Sequence, residues 1–142
     1  MTFVGGGSIA HPMGMDLSAN FALVAGTTNG QVTGPWAARS GFPDTLFASN
    51  KMVADGTGAW MLNAKATLAS GWSSATALQI FLMKNAAVFA TLSIGFSVSS
   101  ATLTPTPITL DSGDTVWVAY TTPIGATGTL QAGAANNFVY FS

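Results

Sequence analysis

Apolar and polar positions alternate with a period of two along most of the chain, the mark of β-strands with one face turned to a core. Trp60, Leu62, Ala64, Ala66 and Leu68 alternate with Met61, Asn63, Lys65 and Thr67, which predicts a long strand opening at Gly58. Leu78, Ile80 and Leu82 then oppose Gln79, Phe81 and Met83. Beyond a Lys84-Asn85 turn, Val88, Ala90, Leu92 and Ile94 oppose Phe89, Thr91 and Ser93. Both faces of this pair are largely apolar, as in strands that line a core on one side and pack on another chain on the other. Thr115 to Thr121 is a further alternating strand, launched by an Asp111-Ser112-Gly113-Asp114 turn, and Phe138 to Phe141 is a terminal strand expected to be tied into a sheet. Thr102 to Pro107 belongs at an edge or in a connection, because each Pro removes a ladder donor. Short strands are expected at 21–24 and 31–36, around a Thr28-Asn29-Gly30 turn, and within 45–54.

The stretch Ala75 to Ile94 is apolar nearly throughout, and Ala, Leu and Met in it favour a helix. A membrane span there would carry Lys84 at its middle, at about 2.5–3.5 kcal/mol. Two strands joined at Lys84-Asn85 agree better with the rest of the chain. Residues 1–18 differ in kind: three consecutive Gly, a His-Pro step and Met13-Gly14-Met15 carry apolar points on a flexible thread. They read as an extended N-terminal arm, with a disordered tail as the alternative. Residues 19–142 then form one β-domain. Removing residues 1–18 is expected to leave that domain's assembly and melting nearly unchanged.

Composition sharpens this picture. The 142 residues suit one domain, and only 6% are charged, with no Glu, against about 25% in an ordinary soluble domain. Either partners bury much of the surface or Ser, Thr and Asn solvate it. The four basic residues, Arg39, Lys51, Lys65 and Lys84, are scattered, which argues against a nucleic-acid partner. The absence of Cys removes thiolate chemistry and Cys-based zinc sites. Met1 to Gly7 lacks the basic and apolar regions of a secretory signal, so export by that route is not expected.

Candidate chemistry is sparse. The single His, His11, lies in the arm, away from any Ser and acid that could complete a triad. Asp111 and Asp114 could suggest a carboxylate pair or a calcium site, but a calcium loop needs more oxygen donors, and turn capping accounts for both. Gly5-Gly6-Gly7-Ser8 has neither the preceding strand nor the following Gly-Lys-Ser/Thr of a phosphate loop. No catalytic, cofactor-binding or metal residue is assigned, and no small-molecule substrate or membrane partner is expected. Trp36, Trp60, Trp72, Trp117, Tyr120, Phe138, Tyr140 and Phe141 read as packing anchors, with a ligand platform as the alternative. Trp72 stands apart, in a turn-rich loop, as the candidate for an exposed contact.

Four pieces in order resemble the C1q/TNF-like jelly roll: Gly58-Ala59-Trp60, Leu82-Met83-Lys84-Asn85, Leu110-Asp111-Ser112-Gly113-Asp114-Thr115-Val116-Trp117-Val118, and Gly133 followed by Phe138-Val139-Tyr140-Phe141-Ser142. The resemblance covers about residues 44–142. It implies an all-β, two-sheet jelly-roll sandwich of eight to ten strands that assembles as a homotrimer, with the first and last strands near the threefold axis. Trp60, Phe138 and Tyr140 would then supply trimer packing. The family's usual extension beyond the last strand is missing, and no Gly-X-Y stalk precedes the domain. Stalkless domains of this kind are similar to bacteriophage virion proteins. That likeness implies a non-enzymatic, trimeric head decoration or minor capsid protein, made in the host cytoplasm and bound to the major capsid lattice. The arm residues Phe3, Val4, Ile9, His11, Met13 and Met15 would contact the lattice. The alternative is a receptor- or glycan-binding tail module that uses Trp72.

Overall fold

The computed structural model describes residues 9–142. Among them lie fourteen strands and no helix. In chain order these are β1 (Met13–Leu17), β2 (Phe21–Ala22), β3 (Gly30–Gln31), β4 (Trp36–Ala38), β5 (Phe47–Ala48), β6 (Lys51–Val53), β7 (Gly58–Thr67), β8 (Leu78–Lys84), β9 (Ala87–Ile94), β10 (Ser100–Thr102), β11 (Thr106–Leu110), β12 (Thr115–Thr121), β13 (Thr129–Leu130) and β14 (Phe138–Phe141). Four of them, β2, β3, β5 and β13, are two residues long. The other ten form the body of a two-sheet sandwich.

The first sheet runs β10-β7-β14-β1-β4, with β11 beside the first half of β7. The second runs β5-β6-β12-β8-β9, with β3 also on β12. All these pairings are antiparallel, and β2 and β13 form a small ribbon at one end. The period-two pattern decides which side chains meet between the sheets. Leu62, Ala64 and Ala66 of β7, Val139 and Phe141 of β14, and Leu78, Ile80 and Leu82 of β8 are buried in one core. Pro107 lies in β11, which among the described residues pairs only with β7, so its missing N–H falls on an edge as the proline content predicts.

The apolar stretch from Ala75 to Ile94 is the β8–β9 hairpin, and no helix is long and apolar enough to cross a membrane among the described residues. Asn85 holds the hairpin turn at a positive φ of 54°, a conformation Asn tolerates better than most side chains. One expectation fails within the hairpin. A register shift between Leu82 and Met83 turns Val88 outward to 50% exposure, while Phe89 packs on the core. The bulge reverses the faces predicted for those two residues.

The larger correction is at the N-terminal boundary. The arm expected through residue 18 contains β1, which lies between β14 and β4 inside the first sheet. Met13, Met15 and Leu17 point inward and are fully buried, opposite Phe141, Val139 and Trp36 in the two ladders. Their alternation with Gly14 and Asp16 is itself a strand pattern. Its burial offsets the entropy of ordering the segment.

Candidate functional site

The outward face of the first sheet gathers groups from distant parts of the chain. Phe138 and Tyr140 of β14 point away from the core and stay half-buried. The guanidinium of Arg39 lies 4.3 Å from the Phe138 ring centre and 5.0 Å from that of Tyr140, a double cation–π contact. Arg39 is held there by an ion pair with Asp16 and by donating to the carbonyl of Ala134 at 2.9 Å. Phe42 closes the cluster, its ring centre 5.4 Å from Tyr140. Gly14 makes this packing possible: a Cβ there would sit 2.8 Å from Tyr140 Cβ, 3.1 Å from Arg39 Cβ and 3.2 Å from Phe42 Cδ1. The Thr45 hydroxyl pins the covering loop by accepting from the Gly14 N–H at 3.0 Å. Lys65 of β7 faces Phe138 across the ladder, so the platform is rimmed by charge on one side.

Trp60 does not share this face. It stands in register with Leu62, which pairs with Phe141, and its ring lies 5.9 Å from Phe141 on the inward side. Its expected place beside Phe138 and Tyr140 is therefore corrected by strand alternation. Trp60 instead walls an open cleft of about 260 Å³ that Met61, Pro107, Thr109 and Ser142 also line. The Trp60 indole N–H is buried and has no hydrogen-bond partner among the described residues. The sandwich core itself holds a void of only about 10 Å³, no larger than a water.

Of the six residues assigned to lattice contact, Phe3 and Val4 lie outside the described residues. Ile9 is exposed and bridges Thr57 in parallel, and the neighbouring Ala10 N–H donates to Thr57 at 3.2 Å. His11 is exposed but tied down, its backbone N–H donating to Asp55 Oδ1 at 2.9 Å and its ring pairing with Asp55 Oδ2. The bond to Asp55 and the carboxylate charge raise the His11 pKa, with a smaller push from Asp44. Burial works against the Asp55 carboxylate, yet the bonds and charge from His11 together hold its pKa below the usual range. Met13 and Met15 are buried in β1 and cannot reach a partner, which corrects their assignment.

Trp72 is also corrected. It is 1% exposed, and its indole N–H donates to the carbonyl of Thr76 at 2.9 Å. The turn-rich loop folds its tryptophan into the end of the core instead of presenting it. Asp114 serves its turn: one carboxylate oxygen accepts from the Asp111 N–H at 2.8 Å and the other from the Asn85 amide at 3.0 Å. Those bonds, with Lys84 nearby, lower its pKa. Among the described residues no three His, Asp or Glu side chains gather as metal ligands would.

Arg39, Asp16 and Phe42 carry the platform, and no sequence motif singles them out, because Arg39 meets its partners only through long-range pairing. No protein-family model and no curated protein matches the chain. Among solved structures, the Eiger TNF from S. frugiperda is similar at a TM-score of 0.63 and 12% identity, over 93% of this chain and 90% of that one. The Pika GITRL structure is similar at 0.49 and 13%, over 87% and 95%. With the all-β sandwich already described, the first likeness establishes that the chain folds as a two-sheet C1q/TNF-like jelly roll.

Proposed function

We propose that this protein is a non-enzymatic structural protein of a virion. In this reading it is a homotrimeric jelly roll that decorates the head or serves as a minor capsid protein, bound to the capsid lattice partly through its N-terminal residues. The observation that carries the reading is the Arg39–Phe138–Tyr140 platform. It is a half-buried, aromatic, charge-rimmed area on a sheet face, in a chain with too few charges to solvate an ordinary surface. Aromatic and Arg anchors are the groups that dominate protein interfaces. A trimer would bury them in an area of the obligate class, about 2,000–5,000 Å².

Three copies also multiply a weak lattice contact, since each bound N-terminus raises the effective concentration of the other two. With Met13 and Met15 in the core, that contact rests on residues before β1: Phe3, Val4, Ile9 and His11. The tail-module reading loses its contact residue, because Trp72 is buried. Light scattering at micromolar concentration is expected to give three times 14.4 kDa, and R39A is expected to weaken the assembly. A chain lacking residues 1–12 should still assemble but fail to attach to particles stripped of the native protein. A monomer at that concentration, or full occupancy by the shortened chain, would refute the respective half of the reading.

A further inference from the structure

Residues 9–12 lead into β1 and are fastened to the connection between β6 and β7. Ile9 bridges Thr57, and the Ala10 N–H donates to the Thr57 carbonyl at 3.2 Å. His11 turns two groups to one carboxylate: its backbone N–H donates to Asp55 Oδ1 at 2.9 Å and its ring pairs with Asp55 Oδ2. Pro12 has no N–H to add. From Met13 onward the chain is held in mid-sheet, between β14 and β4.

We propose that residues 9–12 are a pH-gated strap, closed while Asp55 is ionised and His11 protonated, and loosened when either charge is lost. Little apolar burial holds it shut: Ile9, His11 and Pro12 are exposed, and Ala10 is its one buried side chain. Opening therefore uncovers about a single methyl group and moves no core strand, the kind of local opening that proceeds without global unfolding. What remains is one backbone bond and the two interactions that end on Asp55. Hydrogen bonds to an ionised group are roughly twice as strong as neutral ones, so the charges decide how tightly the strap closes. His11 is the chain's single His, and His is the side chain that ordinarily titrates near neutral pH.

The surroundings leave this pair in control. Asp55 faces His11 from the β6–β7 connection, and Asp44, from the connection between β4 and β5, adds a weaker pull of the same sign. The turn between β11 and β12 packs beside Ala54 through the backbones of Gly113 and Asp114, but the Asp114 carboxylate is engaged by the Asp111 N–H and the Asn85 amide. The bond to Asp55 and its charge raise the His11 pKa, so the imidazolium is complete below the ordinary histidine value and lost as pH rises through the raised one. Burial opposes the Asp55 charge, yet the bonds and charge from His11 prevail, so the carboxylate is lost only as pH falls through its lowered value. The strap is closed at mildly acidic pH, looser in alkali, and released in strong acid, where both interactions lose their charged acceptor. Opening lengthens the reach of the N-terminus by the extended length of residues 9–12, about 13–14 Å. Both halves of the device belong to one chain, so it is independent of the virion reading.

The test is amide hydrogen exchange of the full chain from strongly acidic to alkaline pH, each rate divided by its intrinsic value, with NMR titration of the His11 ring. Protection of the Ala10 N–H should be greatest at mildly acidic pH and fall roughly two- to fivefold toward alkaline pH, the range of an exposed ion pair. It should fall further in strong acid. The Leu17 N–H, bonded to Asn137 within the sheet, should keep its protection from mildly acidic to alkaline pH. D55N retains an acceptor without the charge, so Ala10 should be less protected there, without the pH dependence, and the His11 ring should titrate at a lower pH than in wild type. H11A should lose the alkaline fall alone. Both positions are at the surface, so the variants should unfold cooperatively; should either not, the wild-type comparison of Ala10 with Leu17 and the ring titration decide. An Ala10 N–H unprotected at every pH, protection flat with pH in wild type, an equal alkaline fall at Leu17 or in D55N, or a His11 ring that titrates alike in wild type and D55N would each overturn the proposal.

Discussion

Deleting residues 1–18 separates an arm from a strand. The deletion removes Met13, Met15 and Leu17, each fully buried. Burying a Met or Leu side chain stabilises by about 1.5–3 kcal/mol, so the three together contribute roughly 5–9 kcal/mol. The deletion also strips β14 and β4 of their shared neighbour, leaving ladder donors and acceptors of β14 facing a gap in mid-sheet. A domain of this size has about 5–15 kcal/mol of net stability. The truncated chain is therefore expected to lose its cooperative transition in chemical denaturation and to aggregate. Deleting residues 1–12 instead costs Ala10 and the His11–Asp55 pair but leaves β1 whole, and that chain should melt cooperatively. M15A, at about 2–5 kcal/mol, should fall between them. If the chain lacking residues 1–18 melted within a few degrees of the intact protein, the placement of β1 in the core would be wrong.

Asn85 offers a second test, because it joins two turns: its side-chain oxygen accepts from the Thr115 N–H at 2.9 Å, its amide donates to Asp114, and its carbonyl accepts from the Trp117 indole at 2.7 Å. N85G keeps the positive φ and loses only side-chain bonds, at about 0.5–1.5 kcal/mol each. N85A adds the backbone strain, so it should unfold at lower denaturant than N85G; the reverse order would remove strain from the account. W72A is expected to cost about 3–5 kcal/mol, whereas an exposed Trp72 would leave the denaturation midpoint in place. The His11–Asp55 pair predicts a pH window. The raised His11 pKa makes its contribution complete below the ordinary histidine value and lost as pH rises through the raised one. The lowered Asp55 pKa makes its contribution complete above the ordinary carboxylate value and lost as pH falls through the lowered one. The melting difference between wild type and H11A should peak at mildly acidic pH, and a difference that grew toward alkaline pH would exclude the pair as its source.

Strands whose two faces differ over seven or more residues were legible, because a helix or a loop does not hold a period of two for that length. β7 and β8 follow the predicted faces nearly residue by residue, β12 spans the predicted Thr115 to Thr121, and the turns at Lys84-Asn85 and Asp111 to Asp114 sit where their composition places them. β1 was hidden although its pattern is as regular. Five residues of Met-Gly-Met-Asp-Leu, preceded by a Gly-rich thread, resemble an arm until the partner strands β14 and β4 are known. Their place in the sheet depends above all on β14, more than a hundred positions away, and no local propensity reports that.

The same reason explains Trp72 and the Arg39 platform, with opposite outcomes. A tryptophan among Ser, Ala and Gly reads as exposed, since the loop around it has no periodicity to bury it. It is buried because Trp72 and Ser97-Val98 exchange backbone hydrogen bonds, and the second loop lies some 25 residues away. Arg39 reads as one more scattered charge, yet it bonds the carbonyl of Ala134, 95 residues away, and covers two aromatic rings. In a jelly roll most ladders join strands distant in sequence, so loop side chains are assigned to core or surface by the closure of the sandwich. A sequence reading of such a fold is therefore secure along strand interiors and insecure where loops cross the ends.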